Sequence, residues 1–492
     1  MIASYEAELG PDIERTAPAA GERNNINYAV DWMIYYAMLA IPAYIVCLDL
    51  QQGWIKSANH YLPMLYIGTC AAILYARLRY NGHFIWTPIT WFFVMSGLTF
   101  GMGPLIYYYG NEYSIQFMDA FSLMDDRMLL RTNLLNTVGT LMVCLGHFVV
   151  NMTTWRPKGE RVPYEQRLQM AKRLFWRMLF IALPLKWGVF LPMYMDMFDF
   201  IVPASVQTIA NLLGICISLA FYIWLSGERK YAWVAILLLV ADATSSLLIF
   251  SKFYLISPII QATLGVFMAR PKIRVLLIGG VAVAGAYMWV KPLTDIGRAE
   301  FFHKQKSVSS RVQLVADYIT GEVTPSDSTL ANSEHWWTRQ SFASTEAYLI
   351  NRYDMGHPGN TITDFWVVFI PRAVWHDKPD ISMAGRNLNS ELFGSDLTSL
   401  GATIYAEAYW NGGWLVVCIV GLFIGIAFST LGNLALYYMN VMDLRFMPVA
   451  MLGIFYGLAI QEWFVATFVG GIPLFFGIWY FTKFLVRKRA AP

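Results

Sequence analysis

The chain has 492 residues, of which 57% are apolar and 14% charged, with a formal net charge of +3. A soluble multidomain protein does not carry that balance, and so small a net charge gives no reason to expect nucleic acid as a partner. What remains is an all-α polytopic membrane protein, with the lipid bilayer as its first partner.

The opening 28 residues, beginning MIASYEAELGPDIER, are polar and acidic and lack the apolar stretch of a secretory signal, so they are expected to stay as a cytoplasmic tail. Twelve segments then approach the ~20 apolar residues that a membrane crossing needs. They fall near 29 to 48, 61 to 79, 85 to 108, 130 to 151, 174 to 195, 204 to 225, 231 to 250, 253 to 269, 274 to 290, 414 to 437, 446 to 466 and 471 to 486. Only Ser251 and Lys252 separate the seventh from the eighth, which reads as a helical hairpin or as one broken helix. The expected organisation is a tail (1–28), a bundle of nine spans (29–291), one large, mainly helical loop (292–412), three further spans (413–486) and a short tail (487–492).

Charge supports a single topology. With the N-terminus inside and every span crossing, the inner connections carry Arg77 and Arg79, six basic residues between Arg156 and Arg173, Arg229 and Lys230, Arg270, Lys272 and Arg274, Arg445, and the final Lys483 to Arg489. Lys56, Arg127, Arg131 and Lys252 are the exceptions on the outer side. Both termini are therefore expected in the cytoplasm. The five cysteines lie within apolar stretches at no ligand or disulfide spacing, and read as core or lipid-facing residues.

Two charges fall in the middle of spans, Lys186 in LPLKWGVF and Asp242 in LLVADATSSLL, with Glu462 in AIQEWF a third. Ionisable groups are costly in hydrocarbon, so Lys186 and Asp242 are expected either to pair and hold spans five and seven together or to line a proton or ion pathway. No HExxH, DxD, GxSxG or P-loop occurs, so neither a metal centre, a serine hydrolase nor a nucleotide-driven pump is indicated.

The long outer loop is where function is expected. It holds nine Lys and Arg against fourteen Asp and Glu, so an anion site there must be a local grouping of arginines. Helical spacing is expected over 307 to 319 and 338 to 353, and 361 to 375 reads as a short amphipathic segment at the membrane surface. That segment runs into FIPRAVWHDKPDI (369 to 381), where Pro371 and Pro379 brace Arg372 and Lys378. The following GATIYAEAYWNGGW (401 to 414) carries a lone acid, Glu407, which reads equally as a general base and as a pin for the loop.

This order of features resembles the bacterial oligosaccharide repeat-unit polymerases, the Wzy-like O-antigen and exopolysaccharide polymerases. The resemblance rests on a multispanning chain, one large outer loop with an arginine-bearing helix (Arg352 in LINRYD), Pro371, Arg372, Trp375, Lys378 and Pro379, and the glycine-rich lead into the last three spans. His376 and Asp377 depart from the pair usual there. The resemblance implies metal-independent glycosyl transfer at the outer face of the bacterial inner membrane, without a cofactor. Undecaprenyl-pyrophosphate-linked glycan would be the substrate, and a flippase and a chain-length regulator the partners. Arg372, Glu407, Arg352 and Arg311 are then expected to be catalytic, with His335 and Asp377 behind Glu407 as base. Lys378, Arg298, Arg386, Arg339, His335, Trp375, Trp410 and Tyr405 are expected to bind substrate. The alternatives are a transporter or flippase of lipid-linked oligosaccharide, favoured by Lys186, Asp242 and Glu462, and an O-antigen-type ligase.

Overall fold

A computed structural model describes residues 23–119, 124–153, 161–195, 197, 209–301, 308–323, 340–370, 374–375, 378, 383–394 and 399–486. Among these residues there is no strand. With no water in a bilayer core, helices satisfy their backbone groups internally, and the long apolar segments accordingly fold as helices. In chain order these are α1 (Arg23–Leu48), α2 (Gln52–Tyr80), α3 (Pro88–Tyr109), α4 (Asp126–Thr153), α5 (Tyr164–Tyr194), α6 (Ile209–Leu225), α7 (Tyr231–Leu248), α8 (Lys252–Ala269) and α9 (Ile273–Phe301). Three helices of the long loop follow, α10 (Val308–Thr320), α11 (Ala343–Asp354) and α12 (Met383–Phe393). The chain then closes with α13 (Ile404–Asn440), α14 (Met447–Leu458) and α15 (Gly470–Val486), the last entered through a π-helical turn at Phe464–Val469.

Nine helices among the described residues are long and apolar enough to cross a membrane, which makes the chain a polytopic helical membrane protein. Three shorter apolar helices, Ile209–Leu225, Tyr254–Ala269 and Leu444–Leu458, occupy the remaining apolar segments of the sequence. Segments seven and eight form a hairpin, turned at Phe250, whose φ of 53° is unusual for so bulky a side chain.

Among the described residues, α4 packs most extensively against α13. Their backbones meet at glycines: a methyl group added at Gly146 would run into the Leu422 carbonyl, and one at Gly425 into the Val143 carbonyl. Gly421 and Gly425 form a GxxxG pair. In lipid, where apolar burial gives helices no reason to associate, such close approach supplies the dispersion contacts that hold them. Helices α1 to α4, α13 and α14 build one half of the bundle, and α5 to α9 the other, with α15 packed on both α14 and α5. Helix α10 lies on α7 and α9, whereas α11 lies on α4 and α13.

Lys186 and Asp242 are paired, as one of the two sequence readings expected. Lys186 Nζ lies 3.6 Å from Asp242 Oδ1, with the side chains 4% and 6% exposed, and the pair joins α5 to α7. The ammonium also lies over the rings of Phe190 and Tyr254, each 4.8 Å from the centroid. Glu462, expected to be a buried acid, is instead exposed on the non-helical stretch between α14 and the π-helical turn.

Candidate functional site

The loop is fastened to the end of the bundle where α4 and α13 begin, and two glutamates do the fastening. Glu346, in the first turn of α11, is 1% exposed. Its Oε2 accepts from Asn136 Nδ2 of α4 at 2.8 Å, and its Oε1 accepts from Thr403 Oγ1 at 2.8 Å. Thr403 is also the N-cap of α13, accepting from Ala406 N, so the carboxyl sits against a helix N-terminus. Burial pushes this carboxyl up to about 7.

Glu407 lies one turn further along α13 and is fully buried. Its Oε1 accepts from Thr361 Oγ1 at 2.6 Å, and its Oε2 accepts from the backbone N of Phe464. Asn411 continues the lacing: its Nδ2 donates to Thr361 Oγ1 at 2.9 Å, and its Oδ1 accepts from Ile362 N at 3.0 Å. Trp410 Nε1 donates to the His357 carbonyl at 3.0 Å. Of the two sequence readings of Glu407, the arrangement is that of a pin: both oxygens are committed and no face is open to a sugar hydroxyl.

The open part of this end is built by the last turn of α11. Asp354 Oδ2 accepts from Arg131 Nη2 of α4 at 2.6 Å, and Tyr409 of α13 donates to Asp354 Oδ1 at 3.1 Å. Arg352, two residues before, is paired with Glu391 of α12 and donates to Tyr348 Oη at 3.2 Å. Both arginine side chains remain about a third exposed, at 30% for Arg131 and 29% for Arg352. Tyr353, Tyr409 and Trp414 stand edge to face beside them, with centroids 5.2 and 5.3 Å apart. The helix breaks at this point: Gly413 has a φ of 63°, and Tyr353 packs against the space where a side chain would be.

Several residues expected in the site are elsewhere. Arg311 is buried on α10 beneath Phe301 and Phe250, with centroids at 5.1 and 5.9 Å, and donates to the Leu248 carbonyl at 3.4 Å. It serves the packing of α10 on α7 and α9. Tyr405 is wholly buried, its ring 5.3 Å from Phe100 and pressed on Gly139. Trp375 stacks on Trp366 at 5.9 Å, and Lys378 Nζ donates to the carbonyls of Ile370 and Val368 at 2.8 and 3.4 Å. Those contacts set Trp375 and Lys378 against residues 366 to 370, and Phe365, Trp366 and Phe369 are exposed. Arg386 is exposed on α12. Arg372, Arg339, His335, His376 and Asp377, and the side chain of Arg298, lie outside the described residues.

Sequence reasoning missed Arg131 and Asp354 as a pair, and Glu346 with Asn136 and Thr403. One signal was available: Arg131 breaks the positive-inside pattern, and a basic residue retained against that bias has a reason to be there. Among the described residues, no three of His, Cys, Asp or Glu are grouped as metal ligands. No family model matches the chain, and neither a curated protein nor a solved structure matches it.

Proposed function

We propose that the chain joins lipid-linked oligosaccharide repeat units into a long surface polysaccharide or exopolysaccharide, by metal-independent glycosyl transfer at the outer face of the bacterial inner membrane. The observation that carries the reading is two arginines about a third exposed, Arg131 on α4 and Arg352 on α11, with Tyr353, Tyr409 and Trp414 packed edge to face where α11 meets α13. Forked guanidinium groups suit pyrophosphate oxygens and stabilise the charge that develops as pyrophosphate leaves. Aromatic faces suit sugar rings. Arg372 belongs with them through the family resemblance of its motif. The attacking hydroxyl requires a base, and Asp354, a carboxylate 35% exposed beside Arg131, takes the place first given to Glu407. Undecaprenyl-pyrophosphate-linked glycan is the substrate in this reading, a flippase and a chain-length regulator are the partners, and both termini are cytoplasmic.

The test is the glycan ladder of a cell lacking this chain. Single repeat units should accumulate, long chains should return with the native gene, and Arg352→Ala or Arg372→Ala should not restore them although the protein reaches the membrane. Unchanged chain length in the cell lacking the chain overturns the proposal. A second reading, movement of lipid-linked oligosaccharide across the bilayer, draws on the buried Lys186 and Asp242 pair. Reconstituted liposomes decide between them: a protein that flips the lipid-linked unit and joins nothing is a transporter. A ligase would move finished glycan to another acceptor and leave the ladder on the lipid carrier intact.

A further inference from the structure

Glu346 is a buried acid, 1% exposed, that the glycosyl transfer itself does not use. It lies at the meeting point of three helices, α4 through Asn136, α11 through its own backbone and α13 through Thr403. No basic side chain is among its partners. Of the titratable groups, Tyr405 of α13 interacts with it electrostatically, and Tyr107 of α3 is bonded at 2.8 Å to Ser344, two residues before it. Arg131 lies more than one turn away along α4, and Asp354 two turns away along α11.

The Asn136 amide supplies the second observation. Asn136 is 3% exposed, and its Oδ1 is a buried acceptor with no hydrogen-bond partner, although the amide touches Glu346 through Nδ2. A buried acceptor left unmet costs about 1–3 kcal/mol. Turning the amide over about its last torsion, which exchanges two nearly identical atoms, presents that oxygen to Glu346 Oε2. A protonated Glu346 then donates to Asn136 Oδ1 while its other oxygen still accepts from Thr403; the amide nitrogen takes the place that Oδ1 held, so what favours the proton is a carboxyl 1% exposed with no basic partner. Burial, which moves this carboxyl up to about 7, works in the same direction.

We propose that Glu346 is a positioning residue, whose protonated carboxyl, bonded to Asn136 and Thr403, seats the end of α11 that carries Arg352 and Asp354. The step is a proton taken from solvent by one carboxylate oxygen, with no other bond made or broken. The seated state binds the proton more tightly than an unseated, hydrated α11 would, so by linkage acid favours seating and rising pH loosens it. The expected loss of seating between pH 6 and pH 8 is about tenfold in the equilibrium constant. The importance of seating for transfer rests on the polymerase reading above; the seating itself does not.

The experiment uses the full-length protein in lipid nanodiscs with spin labels at Met355, exposed just past α11, and at Arg127, exposed in the first turn of α4. In the native sequence the distance distribution should be narrow at pH 6 and broaden by pH 8. Glu346→Gln, whose amide mimics the protonated acid by donating to Asn136 and accepting from Thr403, should stay narrow at both. Asn136→Ala removes the acceptor and should move the midpoint to lower pH. A native distribution that ignores pH overturns the inference, and so does a pH response undiminished in Glu346→Gln. Polymer formation is measured in the same preparations. If it falls above pH 7 in the native protein and is flat in Glu346→Gln, positioning reaches the reaction. If the labels respond as expected and no polymer forms at any pH, the polymerase reading fails and the seating by Glu346 stands.

Discussion

Replacing Lys186 by methionine removes the cation from a buried pair and leaves Asp242 behind. At 3.6 Å and an effective dielectric near 20, the attraction between the two charges is about 5 kcal/mol. Against it stands a desolvation penalty of several kcal/mol for each ion. The pair as a whole is therefore close to neutral for stability, whereas half of it is not. Asp242 is 4% exposed, and its Oδ1 has no hydrogen bond to fall back on. Lys186→Met should accordingly destabilise by about 3–5 kcal/mol, and Asp242→Leu by a similar amount. The double variant should return to within about 1–2 kcal/mol of the native protein, a coupling far outside additivity. Reversible unfolding in mixed detergent micelles at neutral pH measures all four species. A cost below about 1 kcal/mol for either single change, or a double variant as unstable as the two singles together, would refute the argument that these helices are joined by a dry ion pair.

Three further outcomes are expected. Thr361→Val takes one of the donors from the fully buried Glu407 and should cost about 1–3 kcal/mol in the same unfolding assay, with limited proteolysis of the loop increasing in parallel. Gly425→Ala forces a methyl group against the Val143 carbonyl and should cost about 1–3 kcal/mol, whereas the same change at Gly280, where nothing lies within reach, should be close to neutral. Glu346 has a folded value, about 7, above its ordinary 4.5, so its contribution to stability is fully present below about pH 4.5 and is lost as pH rises through 7. This amounts to about 3 kcal/mol, and Glu346→Gln should flatten that part of the stability profile while leaving the rest unchanged.

Hydropathy was enough to place the long apolar helices because a span is a property of one segment: each needs its own length of apolar residues whatever it touches. The Lys186 and Asp242 pair was legible for a related reason. Two opposite charges stranded in hydrocarbon have few solutions, and pairing is one of them. The candidate site was less legible because it is made of contacts between segments far apart in the chain. Arg131 and Asp354 are separated by 223 residues, and nothing local in either sequence announces the other. The burial of Arg311 and Tyr405 was not legible, because an arginine or an aromatic residue in a polar loop looks alike in sequence whether it is exposed or packs against phenylalanines. The GxxxG at Gly421 and Gly425 was readable but was passed over in a stretch already assigned as a span.

The bond from Phe464 to Glu407 spans 57 residues, and it sets an order of events in biogenesis. Glu407 leaves the ribosome well before the segment that will satisfy it, so α13 enters the membrane with an unquenched carboxyl at its leading end. Thr361 precedes Glu407 and can meet one of its oxygens early, but the other waits until the π-helical turn at Phe464 has been made. The loop that carries Arg352 is thus closed by a segment synthesised well after it. A protein truncated between Trp414 and Phe464 would hold every residue of the proposed site and would lack the backbone amide that closes it on Glu407.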